Sequence, residues 1–304
     1  MRYLLTGGNG YIGRNLAAAL LAAGDHVVFV LHSQDSVAGI RGLLSSYPET
    51  SAYTIHDGSI ESLSNVCTGA DRVLHLGAYF SPRRDQATIE RLIESNLTLS
   101  SLLFCAVADT APDVPVICAS TFSAFDGSGA LRPANFYSAT KAAVETLATA
   151  FPMPFVFLRF TDSYGPGDPR PKVFSLARDA ILRKEPFVFQ AFRDQKVNVM
   201  RVDDVVRAVV HAASLPLEVG KIETFDLAYP ENETTLGHLA ELLKLARPEA
   251  ALSFAEQVPL TPLPPPAQPL PGFAPRSQLD RDFVSSVFAP EEHLRVQLTD
   301  RAGA

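Results

Sequence analysis

The sequence predicts a doubly wound α/β fold, a parallel sheet covered by helices on both faces, followed by a smaller C-terminal α/β part. Three observations carry that expectation. The chain opens with a short apolar run that enters a glycine cluster, strand-like and helix-like segments then alternate for about 160 residues, and the texture changes after Tyr164. Residues 1–164 are therefore expected to form the main unit and 165–304 the smaller one, with segments near 196–229 returning to the first.

Taken in order, Arg2–Thr6 (RYLLT) reads as a buried strand. Residues 11–23 have helical apolar spacing and stop at Gly24, a C-cap position. His26–Leu31 (HVVFVL) is β-branched and completes a βαβ unit, which implies a parallel sheet with right-handed crossovers. Further strands are expected at 53–56, 72–76, 114–118 and 155–160, with helices at 89–108 and 138–151. Later helices are expected at 173–183, 202–214 and 236–245. Eight of the 23 prolines then fall in residues 259–275, where the missing N–H and fixed φ exclude a helix. This strap is a polyproline-like connector, a rigid lid over a ligand site, or a PxxP ligand for another protein.

The 304 residues carry 26 Lys and Arg against 33 Asp and Glu, a formal net charge of -7. That balance argues against a general nucleic-acid coat and leaves room for a local basic pocket. At 47% hydrophobic and 19% charged, the chain can bury a sizeable core. Cys67, Cys105 and Cys118 form no Cys-x-x-Cys pair and cannot build a disulfide framework, so a reducing cytoplasm is expected, without a metal site. No apolar run approaches the ~20 residues of a membrane span, and the N-terminus lacks the pattern of a secretion signal.

The segment Thr6-Gly7-Gly8-Asn9-Gly10-Tyr11-Ile12-Gly13 reads T-G-x-x-G-x-x-G at the first strand-to-helix turn. Gly7 permits a tight turn, Gly10 lets the backbone approach a pyrophosphate, and Gly13 lets the helix pack on the strand. The ligand's charge meets free N–H groups at the helix start, around Tyr11 and Ile12. With a strand before and a helix after, the pattern predicts dinucleotide binding. An acid roughly 20 residues beyond the loop would bind the ribose hydroxyls of NAD, but Leu31-His32-Ser33-Gln34 holds none. His32, Ser33 and Arg14 or Arg41 could bond a 2′-phosphate instead, which favours NADP(H) over NAD(H), unless the segment tolerates either. Asp57, in His56-Asp57-Gly58-Ser59, either accepts from the adenine amino group or caps the next helix. Leu76-Gly77-Ala78 offers small residues where a cofactor can lie close to the sheet.

Tyr137 and Lys141 stand four residues apart on a predicted helix and so share a face. A nearby cation favours the phenolate and lowers the phenol pKa towards one suited to proton transfer with an alcohol oxygen. Thr121 ends a predicted parallel strand at the carboxyl edge, where such sheets bind ligands. Its hydroxyl either holds the reacting oxygen or satisfies the strand-end backbone.

Together, TGGNGYIG, Asp57, LGA at 76–78, Asn96, Thr121, YSATK, RFTDSYGPGD at 159–168 and RVDDV at 201–205 resemble the extended short-chain dehydrogenase/reductase family, the nucleotide-sugar epimerase/dehydratase group. The resemblance runs over nearly the whole chain. It implies a Rossmann fold, a catalytic triad of Thr121, Tyr137 and Lys141, and Lys141 on the nicotinamide ribose. It also implies cofactor contacts at Gly58 and Asn96, a C-terminal part that clasps a nucleotide diphosphate, and a homodimer paired through the Asn96 and Tyr137 helices.

Departures from the family pattern narrow the activity. Phe122 and Ser123 stand where dehydratases carry acids, which argues against dehydration. Asp162 replaces the usual Asn before YGP, and Val197 replaces the Arg that grips the substrate diphosphate, for which Arg193, Lys196 or Arg201 could substitute. The strings DSYGPGDPRPK and NFYSATKAAVE resemble the 4-ketoreductases of CDP- or dTDP-linked deoxy sugars. The resemblance thus implies NADPH-dependent reduction of a 4-keto-6-deoxy sugar, with Tyr137 giving the proton. Tyr79, Ser123, Asp162, Arg170, Lys172 and Arg201 are the candidate substrate contacts. A nucleotide-sugar 4-epimerase with tightly held NAD is the main alternative. A reductase of a small ketone without a nucleotide, or a non-catalytic dinucleotide sensor, are lesser ones. No nucleic-acid or membrane partner is expected.

Overall fold

The computed structural model describes residues 1–256, 262–265 and 268–290. The first half contains β1 (Arg2–Thr6), α1 (Tyr11–Ala22), β2 (His26–Leu31), α2 (Arg41–Ser46), β3 (Ser51–Ile55), α3 (Ile60–Cys67) and β4 (Arg72–His75). Next come α4 (Gln86–Leu92), α5 (Leu99–Thr110), β5 (Val116–Thr121), α6 (Phe136–Ala148) and β6 (Phe155–Phe160). The remainder holds β7 (Asp162–Tyr164), α7 (Val173–Arg183), β8 (Phe187–Phe189), β9 (Lys196–Arg201), α8 (Val202–Ser214) and β10 (Ile222–Asp226). It closes with β11 (Glu233–Thr235), α9 (Leu236–Ala246), β12 (Leu252–Phe254) and α10 (Leu279–Phe288).

Seven strands form one parallel sheet in the order β10-β6-β5-β4-β1-β2-β3. Helices cover both faces, so its central strands are apolar on both sides rather than alternating. On one face α1 and α8 enclose Leu16, Leu20, Val205 and Val209. On the other, α3, α5 and α6 enclose Leu63, Leu103, Phe104 and Val144. A third core, with Phe174, Phe189, Leu239 and Phe283, joins α7, α9 and α10 to β8. There, β7, β9 and β11 form one small sheet and β8 pairs with β12 in another.

Several expectations need correction. The fifth strand runs Val116–Thr121 rather than 114–118, starting after Pro115, and ends on Thr121 as expected. The helix expected at 89–108 is a continuous run, Gln86–Thr110, broken by a π-helical turn at Ile93–Thr98. Those 25 residues are long and apolar enough by length and composition to cross a membrane, contrary to the expectation. Their buried residues Leu103, Phe104, Ala106 and Val107 supply the core against α3 and the sheet. The helix α6 starts two residues early, where Asn135 accepts a hydrogen bond from the Ser138 N–H at 2.9 Å.

Part of the proline strap, residues 259–261 and 266–267, lies outside the described residues. Its later portion is fastened to the main sheet. The Asp226 N–H donates to the Gln268 carbonyl at 2.8 Å, His211 Nε2 bonds the Pro271 carbonyl at 2.8 Å, and Leu270 and Phe273 are buried in the α1/α8 core. Residues 262–265 pass over the turn after β5, where a Cβ on Gly127 would press 2.5 Å from Pro262.

Candidate active site

The sheet reverses its strand order between β1 and β4, and ligands of such folds bind beyond that point. Gly7 follows β1 with φ +70°, and a Cβ there would stand 2.6 Å from the Gly77 backbone nitrogen. A Cβ on Gly13 would collide with the Gly7 carbonyl oxygen. At Gly10 a Cβ would meet only the Gly7 oxygen, at 3.2 Å, and otherwise open space. The helix α1 also has no side-chain N-cap. An open cradle on an uncapped helix start fits a dinucleotide pyrophosphate. Tyr11 contributes through its backbone at most, since its hydroxyl donates to the Pro166 carbonyl at 3.0 Å and Arg170 covers its ring at 4.7 Å. Ile12 is half-buried beside it.

Beyond β2, His32 Nδ1 and Ser33 Oγ both bond the Ser36 hydroxyl, at 3.3 and 3.1 Å. His56 faces His32, and burial together with that neighbour lowers the His56 pKa. Arg14 turns back to the Asn9 carbonyl at 3.0 Å, while Arg41 is exposed. Asp57 does not cap the next helix. Ser59 does, accepting from the Ser62 N–H at 3.1 Å, because Gly58 turns the chain at φ +85° first. Asp57 accepts from the Ser59 N–H and hydroxyl, which hold its carboxyl below the usual range.

A relay of hydrogen bonds ties this cradle to α6. The Gly77 N–H donates to Thr6 Oγ1 at 3.0 Å, which bonds His75 Nδ1 at 2.8 Å. His75 Nε2 bonds Ser100 Oγ at 2.9 Å, and the Ser100 hydroxyl donates to the Asn96 carbonyl. Since Ser100 gives its proton to Asn96, it accepts from Nε2, so His75 is the neutral Nε2–H tautomer. The Asn96 amide accepts from the Tyr79 N–H at 2.8 Å and donates to the Tyr79 carbonyl and to Thr140 Oγ1. Expected as a cofactor contact, Asn96 spends these amide bonds clamping the loop after β4, which carries Leu76, Gly77 and Ala78, onto α6. The π-helical turn presents it there, a signal no hydrophobic period carries.

Lys141 is 2% exposed, and burial lowers its pKa. Tyr137 departs from expectation. Burial pushes its phenol up to about 12, and the cation that opposes this is Arg170 rather than Lys141. Arg91 of α4 covers the Tyr79 ring at 4.3 Å. The Tyr79 neighbour Phe80 meets Tyr137, edge to face at 4.9 Å. Thr121 satisfies the strand-end backbone, one of the two readings given to it. It accepts from the Ser123 N–H at 3.3 Å, and its hydroxyl heads a chain through Ser123 Oγ and Ser138 Oγ, each step 2.8 Å, and on to Asn135 Oδ1 at 3.1 Å.

The cations expected on a substrate diphosphate are engaged within the protein. Arg170 is bidentate to Asp168, Lys172 lies 3.3 Å from Asp162, and Arg201 lies 3.1 Å from Asp203. Arg193 pairs with Glu241 and Lys196 with Glu233, so neither stands free to replace the missing arginine at Val197. Sequence reasoning missed Arg159, which is bidentate to Glu145 and covers the Phe125 ring at 3.9 Å. Beside it, a cavity of about 330 Å³ opens beyond the ends of β5, β6 and β10, roofed by Leu263, Pro264 and Pro265 of the strap. Among the described residues, no cluster of three or more His, Cys, Asp or Glu could hold a metal ion.

Comparison with known proteins agrees with this geometry. UDP-glucuronate 4-epimerase 2 of Arabidopsis thaliana is 26% identical over 233 residues, 69% of this chain and 53% of that protein. The chain thus matches about half the length of that relative. CDP-abequose synthase of Yersinia pseudotuberculosis is 25% identical over 239 residues, 77% of this chain and 81% of that one. The solved UDP-glucuronic acid 4-epimerase from Bacillus cereus, in complex with UDP-glucuronic acid and NAD, superposes with a TM-score of 0.80. It is 22% identical, with 94% of this chain and 98% of that chain covered, a likeness of fold. The family model for the NAD dependent epimerase/dehydratase family matches residues 3–228. With the glycine cradle and the Tyr137–Lys141 helix falling inside that span, the chain belongs to the NAD-dependent epimerase/dehydratase family.

Proposed function

We propose that the protein reduces the 4-keto group of a CDP- or dTDP-linked 4-keto-6-deoxy sugar, with NADPH as reductant. The likeness to CDP-abequose synthase, which covers 77% of this chain and 81% of that protein, carries the choice of reduction, and desolvation that raises the Tyr137 phenol to about 12 is in keeping with it. A reductase asks this tyrosine only to give its proton to a developing alkoxide, which is far more basic. An epimerase first needs the same group as a base, which a raised pKa opposes. When bound, the nicotinamide supplies the hydride. Thr121 orients the keto oxygen, and the Ser123–Ser138 hydroxyl chain holds Thr121 in register. Lys141 holds the ribose from a buried position, Gly7, Gly10 and Gly13 carry the pyrophosphate, and His32 and Ser33 bond the 2′-phosphate. Arg170, Lys172 and Arg201 reach the sugar nucleotide by exchanging Asp168, Asp162 and Asp203 for its diphosphate. The likeness to CDP-abequose synthase supports this branch.

A second reading, a 4-epimerase with tightly held NAD, is favoured by the epimerase relative and by the NAD-bound epimerase of the same fold. Incubation with NADPH and the CDP- or dTDP-linked ketone separates the two. We expect one NADPH oxidised per sugar reduced, by protein that purifies without cofactor. Sugar epimerised with no net NADPH consumption, by protein that retains NAD, would establish the second reading.

A further inference from the structure

Thr121 ends β5, and behind it Ser138 of α6 is fully buried. Ser123 joins the two, its Oγ standing 2.8 Å from each of their hydroxyls. The far end of this chain fixes which way its protons point. Asn135 caps α6 by accepting the Ser138 N–H at 2.9 Å, so the atom it turns to Ser138 is the carbonyl oxygen Oδ1. An acceptor only, Oδ1 takes the Ser138 hydroxyl proton at 3.1 Å. A hydroxyl has one proton to give, so Ser138 accepts from Ser123, and Ser123 accepts from Thr121. Thr121 also accepts the Ser123 N–H at 3.3 Å. Its oxygen therefore offers the site a lone pair and no proton. That end suits an alcohol but not a ketone, which is itself only an acceptor.

We infer that Thr121, Ser123 and Ser138 form a reversible hydrogen-bond wire that fits Thr121 to either oxidation state of the reacting carbon, with Ser138 and Asn135 as positioning residues. For a ketone the three hydroxyls turn about their C–O bonds, and no proton leaves its oxygen. Ser138 then donates to Ser123, Ser123 to Thr121, and Thr121 to the keto oxygen. The bond given up is that from the Ser138 hydroxyl to Asn135 Oδ1. Asn135 still holds the Ser138 N–H, so the helix cap survives the reversal. An alcohol adds one hydrogen bond to the resting wire, whereas a ketone exchanges one for another. The wild-type wire thus favours the alcohol, the product of a reduction. It rests on the proposed reading in one respect, that Thr121 holds the reacting oxygen.

Equilibrium binding in unreactive pairs tests the wire: the CDP- or dTDP-linked ketone with NADP+, and its 4-hydroxy product with NADPH. Ser138→Ala removes the hydroxyl whose bond to Asn135 must break for the ketone. The ketone should then bind about fivefold tighter than to wild type, the worth of one hydrogen bond, with the alcohol within about twofold. Asn135→Gly, a residue tolerated at an N-cap, removes the same competing acceptor and should shift the ratio the same way. On a Thr121→Val background neither substitution should move it. A merely structural Ser138 would weaken both ligands alike. An unchanged ratio in both variants, or equal loss of the two ligands, would overturn the wire and leave the reading of the site standing. Wild type that binds neither ligand would overturn both.

Discussion

His75 ends β4 fully buried, and loss of hydration, reinforced by the Lys141 charge, drives its pKa down to about 3. The folded protein refuses a proton that the unfolded chain takes up near pH 6.5, so stability must fall as the pH drops through the window from 6.5 towards 3. The slope from this one group approaches about 1.4 kcal/mol per pH unit. Urea unfolding at pH 6.5 and pH 5 should show the wild type losing about 1–2 kcal/mol more than His75→Gln over that step. Equal losses would mean that His75 is not held neutral. The sequence displayed His75 only as part of an apolar strand, because its partners Thr6 and Ser100 are 69 and 25 residues away. Tyr137 and Lys141 were legible from their spacing. The direction of the Tyr137 shift was not, since it depends on burial and on Arg170 from a different loop.

At the scale of the element, α1 and its glycine loop do separate jobs that single substitutions can tell apart. Gly13→Ala drives a Cβ into the Gly7 carbonyl and should cost about 1–3 kcal/mol of stability. Gly10→Ala meets the protein only at 3.2 Å, so the fold should keep its Tm within a few degrees while affinity for the dinucleotide falls at least tenfold. Thermal melts paired with cofactor titration check both, and a destabilised Gly10→Ala that binds normally would refute this division. Elements with a long apolar period, such as α7 and α8, were read to the residue. The three-residue strands β7, β8, β11 and β12 carry too short a run to show any period. The break at Ile93–Thr98 leaves the apolar pattern nearly intact, and so it was invisible.

Across the whole molecule, the second acid of RVDDV fastens the strap. Asp204 is 2% exposed, pairs with Arg207 at 2.6 Å, and accepts the N–H groups of Arg276 and Ser277, each at 2.9 Å. Asp204→Ala removes one partner of a buried pair and should cost about 3–5 kcal/mol, with faster proteolysis near residue 276. Urea unfolding and limited digestion check this, and an unchanged digestion pattern would show the strap to be held elsewhere. Proline content announced the strap but not its course, which depends on contacts with β10 and α8 made by residues around it. The central claim remains that Tyr137 is the proton donor for a reduction by NADPH. Its most direct test is single-turnover NADPH oxidation with the CDP- or dTDP-linked ketone, in wild type and Tyr137→Phe, alongside NADPH affinity in each. The account predicts a rate at least a hundredfold lower, with affinity within about twofold, consistent with the loss of general acid catalysis. Tyr137→Phe turning over within tenfold of wild type would contradict it.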